Sequence, residues 1–176
     1  MSDLDFEICD LEICPAAAVA EEEVTALLTR CYGTLLQDKY PADVLAKAVP
    51  VIGKARPALL QSPTYFAARL GGRLVGLGGW TEDTPFGRAG VAGRGHIRHV
   101  ACCPDHTRRG IATALIRQVF ETGAAAGVVE FNCLSTLSAE PFYRAMGFHV
   151  VESVALRLSP EVEFPAIQMR WRSGGH

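Results

Sequence analysis

Arg108, Arg109 and Gly110 close a short turn between two apolar stretches. Before it, Ile97 to Cys103 is rich in apolar and β-branched types and stops at Pro104, as a strand would. After it, an amphipathic stretch opens at Ile111. A strand, a basic turn and a helix in that order bring unpaired backbone N–H groups and partial positive charge to one point. Two guanidiniums stand beside them. Such a terminus is a ready anion site, and Gly110, with no Cβ, lets a ligand approach the main chain. The chemistry implied is the holding of a phosphate-bearing cofactor. The plain alternative is an ordinary solvated helix start, which Thr107-Arg108-Arg109-Gly110 also fits.

The helix is predicted from its stripe: Ile111, Leu115, Ile116, Val119 and Phe120 share one face, and Gly123 and Gly127 offer stops. Two phosphate-binding motifs are excluded. Gly53-Lys54 is followed by Ala55, so no P-loop is present, and Gly110-Ile111-Ala112 lacks a full Gly-x-Gly-x-x-Gly.

Other reactive side chains are few. His96 and His99 lie three apart on the expected strand, which points them to opposite faces and argues against a chelating pair. The six cysteines, Cys9, Cys14, Cys31, Cys102, Cys103 and Cys133, form no Cys-x-x-Cys pair and no zinc spacing. They read as buried structural thiols ahead of functional ones. No metal site is expected. Tyr143 reads equally as a core ring with a satisfied hydroxyl or as a proton donor.

The Arg-Arg-Gly segment resembles motif A of the GNAT superfamily, the acetyl-CoA-dependent N-acetyltransferases. Their Gln/Arg-x-x-Gly-x-Gly/Ala signature falls on Thr107-Arg108-Arg109-Gly110-Ile111-Ala112, with Thr107 a departure at the first position. A second match follows at the spacing the family expects for motif B. In Leu134 to Phe148, Ala139, Phe142, Tyr143, Gly147 and Phe148 fit the pattern, and Thr136 stands where an Asn is frequent. The resemblance spans roughly Phe66 to Arg157.

The resemblance implies acetyl transfer from acetyl-CoA to a primary amine, and the long loop from Glu82 to Gly95, of a length to cover a small acceptor, favours a small molecule. It implies that the backbone of Val100, Ala101 and Cys102 lies along the pantetheine arm. The pyrophosphate would sit on Arg108, Arg109, Gly110, Ile111, Ala112 and Thr113. Tyr143 would be the general acid, since a phenol with a pKa of about 10 is protonated at neutral pH. His96, near where some members carry a catalytic Glu, is the first candidate for general base. His99, Glu82 and a water relay remain open, as does a merely solvated His96. Gly78, Gly79 and Trp80 are candidates for shaping the acceptor pocket. Two other functions stay open: a non-catalytic acyl-CoA-binding or sensing module, and a protein or peptide N-acetyltransferase.

The elements that must position these residues follow from pattern. Strands are expected at Phe6 to Leu11, Thr64 to Leu70, Arg73 to Thr81, Ile97 to Cys103, Val128 to Leu134, Phe148 to Leu156 and Phe164 to Trp171. Gly71-Gly72 is the turn of a hairpin. Helices are expected from Glu21 to Tyr32, from Pro41 until Pro50 ends or kinks it, after Gly110, and from Ala139 to Met146. A long glycine-rich loop runs from Glu82 to Gly95. The fold class is therefore α/β, a mixed central sheet of about six to seven strands flanked by about four helices.

The 176 residues suit one domain, 1–176. With 49% apolar and 20% charged residues the composition is that of an ordinary globular protein. A net charge of −2 gives no electrostatic case for nucleic acid. No apolar run approaches the ~20 residues of a membrane span. The acidic start MSDLDFEICD is unlike a secretory signal, so the cytoplasm is the expected location. The C-terminal strand is a candidate surface for a homodimer.

Overall fold

The computed structural model describes residues 10–174. Its first helix, α1 (Glu21–Leu35), opens with Glu21, Glu22 and Glu23, whose charges oppose the positive end of the helix dipole. The expected stripe of Val24, Leu27, Leu28, Cys31 and Tyr32 is its buried face. The next helix, α2 (Ala42–Ile52), takes Pro50 into its last turn and runs two residues beyond it. Gly53 N–H then closes the helix on Val49 O at 2.8 Å. Pro50 therefore does not end α2. A fifth, four-residue helix that the sequence pattern did not predict, α3 (Pro57–Leu60), starts with proline at its first turn.

Seven strands form one sheet in the order β1-β2-β3-β4-β5-β7-β6. They are β1 (Leu11–Pro15), β2 (Tyr65–Leu70), β3 (Arg73–Thr81), β4 (Arg94–Cys102), β5 (Glu130–Ser135), β6 (His149–Ser159) and β7 (Val162–Arg172). Every neighbouring pair is antiparallel except β4 and β5. The predicted first strand at Phe6 to Leu11 lies mostly outside the described residues; the described strand begins at Leu11. Gly71 and Gly72 both adopt positive φ, 55° and 80°, as the two-residue turn between β2 and β3 requires. The β3–β4 loop is two residues shorter than expected, because β4 already starts at Arg94.

One sheet face carries α4 (Ile111–Ala125) and α5 (Glu140–Ala145), with Trp80, Ile97, Phe131, Phe148 and Met169 beneath. The other face packs α1 and α2 over Tyr65, Val75, Leu77 and Ala101. Glycines set the α4 spacing: a Cβ on Gly76 would stand 2.8 Å from Ile111 Cγ2. The C-terminal strand β7 is hydrogen-bonded on both sides, to β5 and β6. Edge pairing with a second copy is thus closed to it, and β6 holds that sheet edge.

Candidate active site

The basic turn folds as its residue types demand. After β4, a single 3-10 turn (Pro104–His106) leads into Arg108 with φ 61° and Gly110 with φ 78°. Gly110 is the N-cap of α4, and Ala114 N–H closes the first helical bond on its carbonyl at 2.9 Å. The N–H groups of Ile111, Ala112 and Thr113 precede that bond and point outward from the helix end. A Cβ on Gly110 would meet nothing within 4 Å, so open space lies above this cradle. The arrangement fits a diphosphate held by main-chain donors beside Arg108 and Arg109. Arg30 pairs with Asp105 at 2.6 Å and ties the approach to α1.

β4 and β5 part company at the middle of the sheet. Their parallel ladder joins Arg94, Gly95 and His96 to Glu130, Phe131 and Asn132, and stops there. β4 continues to Cys102, so Val100, Ala101 and Cys102 run along an edge that β5 has left. Against β3, the register jumps from Gly79–Arg98 to Leu77–Ala101. Two residues, His99 and Val100, therefore face one, Gly78, and His99 takes φ 36°. Simple alternation predicted that His99 would leave the face of His96. The bulge overturns that: the extra residue turns the His99 ring to α1, where Nδ1 lies 3.5 Å from Tyr32 Oη. Tyr65 Oη donates to His99 O at 3.0 Å and holds the bulge. Burial, with Arg56 and Arg98 nearby, pushes the His99 pKa down to about 4.

Tyr143, on α5, is buried at 5% exposure and reaches Cys133, the first β5 residue past its ladder with β4. Its hydroxyl hydrogen-bonds with the Cys133 thiol on β5. Burial first, then the Cys133 side chain and the nearby Tyr32 and Tyr65, holds its pKa well above 10. The phenol is therefore protonated at neutral pH. Tyr65 carries no signal in the sequence that marks it for the site, and Cys133 reads there only as a structural thiol. From sequence, Tyr32 is part of the α1 stripe. Burial also raises the Cys102 thiol to about 12, which makes it a weak nucleophile.

His96 lies on the sheet face away from α4, opposite Thr81 on one side and Asn132 on the other. It lines a cavity of about 310 Å³ together with Phe86, Arg94, Ile97, Asn132 and Cys133. Burial, then Arg94 and Arg98, lowers its pKa below 6.5, against the opposite pull of Asp83 and Glu130. Its ring is thus neutral at pH 7 and can accept a proton. Glu82 is exposed, just beyond the end of β3, and does not line this cavity. Trp80 does not shape it either: its indole faces α4, donates to Thr122 Oγ1 at 3.0 Å and packs edge-on against Phe131. A larger hollow of about 580 Å³ lies on α1 between Glu21 and Arg30 and touches none of these groups.

A mixed sheet split between two parallel strands, with a glycine-capped helix N-terminus after one of them, defines a fold class. A profile of the acetyltransferase (GNAT) family matches residues 22–148, and the chain belongs to that family. Solved structures agree in fold. A GCN5-related N-acetyltransferase from Rhodopseudomonas palustris superposes with a TM-score of 0.70 at 19% identity, covering 92% of this chain and 94% of that one. The PaiA N-acetyltransferase from Thermoplasma acidophilum, solved with coenzyme A, gives 0.68 at 12% identity, covering 92% and 98%. The ribosomal-protein-S18-alanine N-acetyltransferase from Escherichia coli gives 0.61 at 14%, covering 94% and 96%. No curated protein matches the chain by sequence. Among the described residues, no helix is long and apolar enough to cross a membrane.

Proposed function

We propose that this chain is an acetyl-CoA-dependent N-acetyltransferase that acts on a primary amine of a small molecule by direct attack on the thioester. The observation that carries the reading is a protonated, buried Tyr143 hydroxyl set against Cys133, the first β5 residue past its ladder with the cradle strand. Acetyl-CoA would supply an activated acetyl carbon, with the coenzyme A thiol as its leaving group. Arg108, Arg109 and the N–H groups of Gly110 to Thr113 hold its pyrophosphate. The backbone of Val100, Ala101 and Cys102 aligns the pantetheine arm, and an N–H there polarises the acetyl carbonyl. His96 takes the proton that the amine loses as its nitrogen bonds the acetyl carbon. Tyr143 gives its proton to the sulfur as the C–S bond breaks, and solvent restores it. The products are the N-acetylated amine and coenzyme A. A cavity of about 310 Å³ suits a small acceptor.

Titration calorimetry with acetyl-CoA tests the first half of this reading. Micromolar binding by the wild type, lost on combined Arg109→Glu and Gly110→Asp substitution, is the expected result. Thiol release with an amine panel tests the second half. Tyr143→Phe should slow turnover by roughly 10²–10⁴-fold, the usual range for a positioned proton donor, with acetyl-CoA affinity kept. Equal turnover by Tyr143→Phe would remove the acid from Tyr143. Binding without turnover of any amine by the wild type would favour an acyl-CoA sensor.

A further inference from the structure

On the face away from α4, register sets polar side chains in two rungs. Arg94, Glu130 and Arg172 form one, and His96, Asn132 and Arg170 the next. Side chains two apart on a strand share a face, so the rungs stack. Glu130 is their hub and is 8% exposed. Its carboxylate oxygens lie 2.8 Å from Arg94 Nε, 2.9 Å from Arg172 Nε and 3.5 Å from Arg170 Nε. Asn132 Nδ2 donates to Glu130 at 3.4 Å, and Asn132 Oδ1 accepts from Arg170 Nε at 3.3 Å.

Both Arg94 and Arg170 line the His96 cavity. Arg170 Nε donates to Asn132, Arg94 Nε faces Glu130 as an ion pair without hydrogen-bond geometry, and among the described residues no hydrogen bond engages the terminal nitrogens of either. A guanidinium held at Nε keeps its fork for another partner, and that fork matches an oxyacid in two-point contact. Three guanidiniums meet the one carboxylate of Glu130, an excess of positive charge at that hub, and two of them line the cavity. At the other end, Cys133 lines the cavity and contacts the Tyr143 hydroxyl. The cradle at Arg108 to Thr113 lies beyond the far end of β4, on the order of 20 Å away at strand rise. These arginines are therefore too distant to serve the same phosphates.

We propose that the acceptor carries an anionic oxyacid group, carboxylate or phosphate, which Arg94 and Arg170 bind while its amine faces His96. The proposal rests on the acetyltransferase reading and names its substrate class. Glu130 is a positioning residue: it holds the two forks without touching the acceptor. A second positive charge on an acceptor would meet the arginines and be rejected.

The test is titration calorimetry of CoA-loaded protein with matched ligands: amino acids, their carboxamides and their decarboxylated amines, and aminoalkyl phosphates with the parent amino alcohols. Thiol release from acetyl-CoA is followed with the same panel. An acid-bearing ligand should bind about ten- to a hundredfold more tightly than its neutral match, the effect of a charge-assisted pair. Whether the carboxylate or the phosphate series shows the larger gap names the group. Arg170→Gln should erase the gap mainly through KM, and Arg170→Lys should restore part of it, with unchanged circular dichroism in both. Neutral amines that bind as well, a gap that survives Arg170→Gln, or no binding by any acid-bearing ligand would each overturn the proposal. Turnover of neutral amines alone would leave the acetyltransferase standing and remove the anion site. Failure to bind acetyl-CoA would remove both.

Discussion

His99 links a local backbone irregularity to a global property. Its half-buried ring, desolvated against α1, takes a proton only near pH 4, whereas in an unfolded chain it does so near 6.5. Between those values the unfolded state binds more protons, so stability rises with pH and falls on acidification. The loss begins as pH drops through 6.5, reaches about 2 kcal/mol by pH 5 and levels off below 4. The lowered His96 acts in the same direction. Urea unfolding at pH 7 and pH 5 should show this difference, and His99→Asn, which tolerates the positive φ, should shrink it by about 2 kcal/mol. An unchanged difference would mean that His99 is open to water in solution.

At the scale of elements, the junction of β2 and β3 is the tightest point described near the site. A Cβ on Gly79 would stand 2.2 Å from Thr64 O and 2.5 Å from Tyr65 Cα. Both obstacles are backbone and cannot rotate away. Tyr65 is also the side chain that holds the His99 carbonyl. Gly79→Ala should therefore destabilise the fold by about 1–3 kcal/mol, read as a lower urea midpoint with unchanged slope. It should also disturb the bulge, because Tyr65 must move. The hairpin turn at Gly71-Gly72 was plain from sequence, since two adjacent glycines between apolar runs need no tertiary partner. The bulge was not, because its signal is a mismatch between two strands.

For the whole molecule, the split divides labour. Each sheet face is covered by different helices, and the cradle and the His96 cavity lie at opposite ends of β4. A ligand that spans the split touches elements from both cores. Acetyl-CoA at a hundred times its dissociation constant should add about 2.7 kcal/mol to unfolding. For a chain of this size that is a rise in Tm of roughly 5–10 °C. Scanning fluorimetry with and without acetyl-CoA checks it, and the Arg109→Glu, Gly110→Asp variant should show no rise.

Local order by itself determined much of this protein. The stripes of α1 and α4, the β2–β3 turn and the Arg108–Gly110 helix start each depend on spacing within one segment, and the chain carries those signals without a partner. The family resemblance rests on the same segments, and the matched family profile agrees with it. Tertiary structure alone decided what lies across strands. Tyr32 and Tyr65 meet His99 over separations of 67 and 34 residues. Glu130 gathers Arg94, Arg170 and Arg172 through the pairing of β5 with β4 and β7. The order that sets β7 inside β6 removed the C-terminal strand from the edge. Spacing along a chain reports which residues share a face; only register and sheet order report which faces meet.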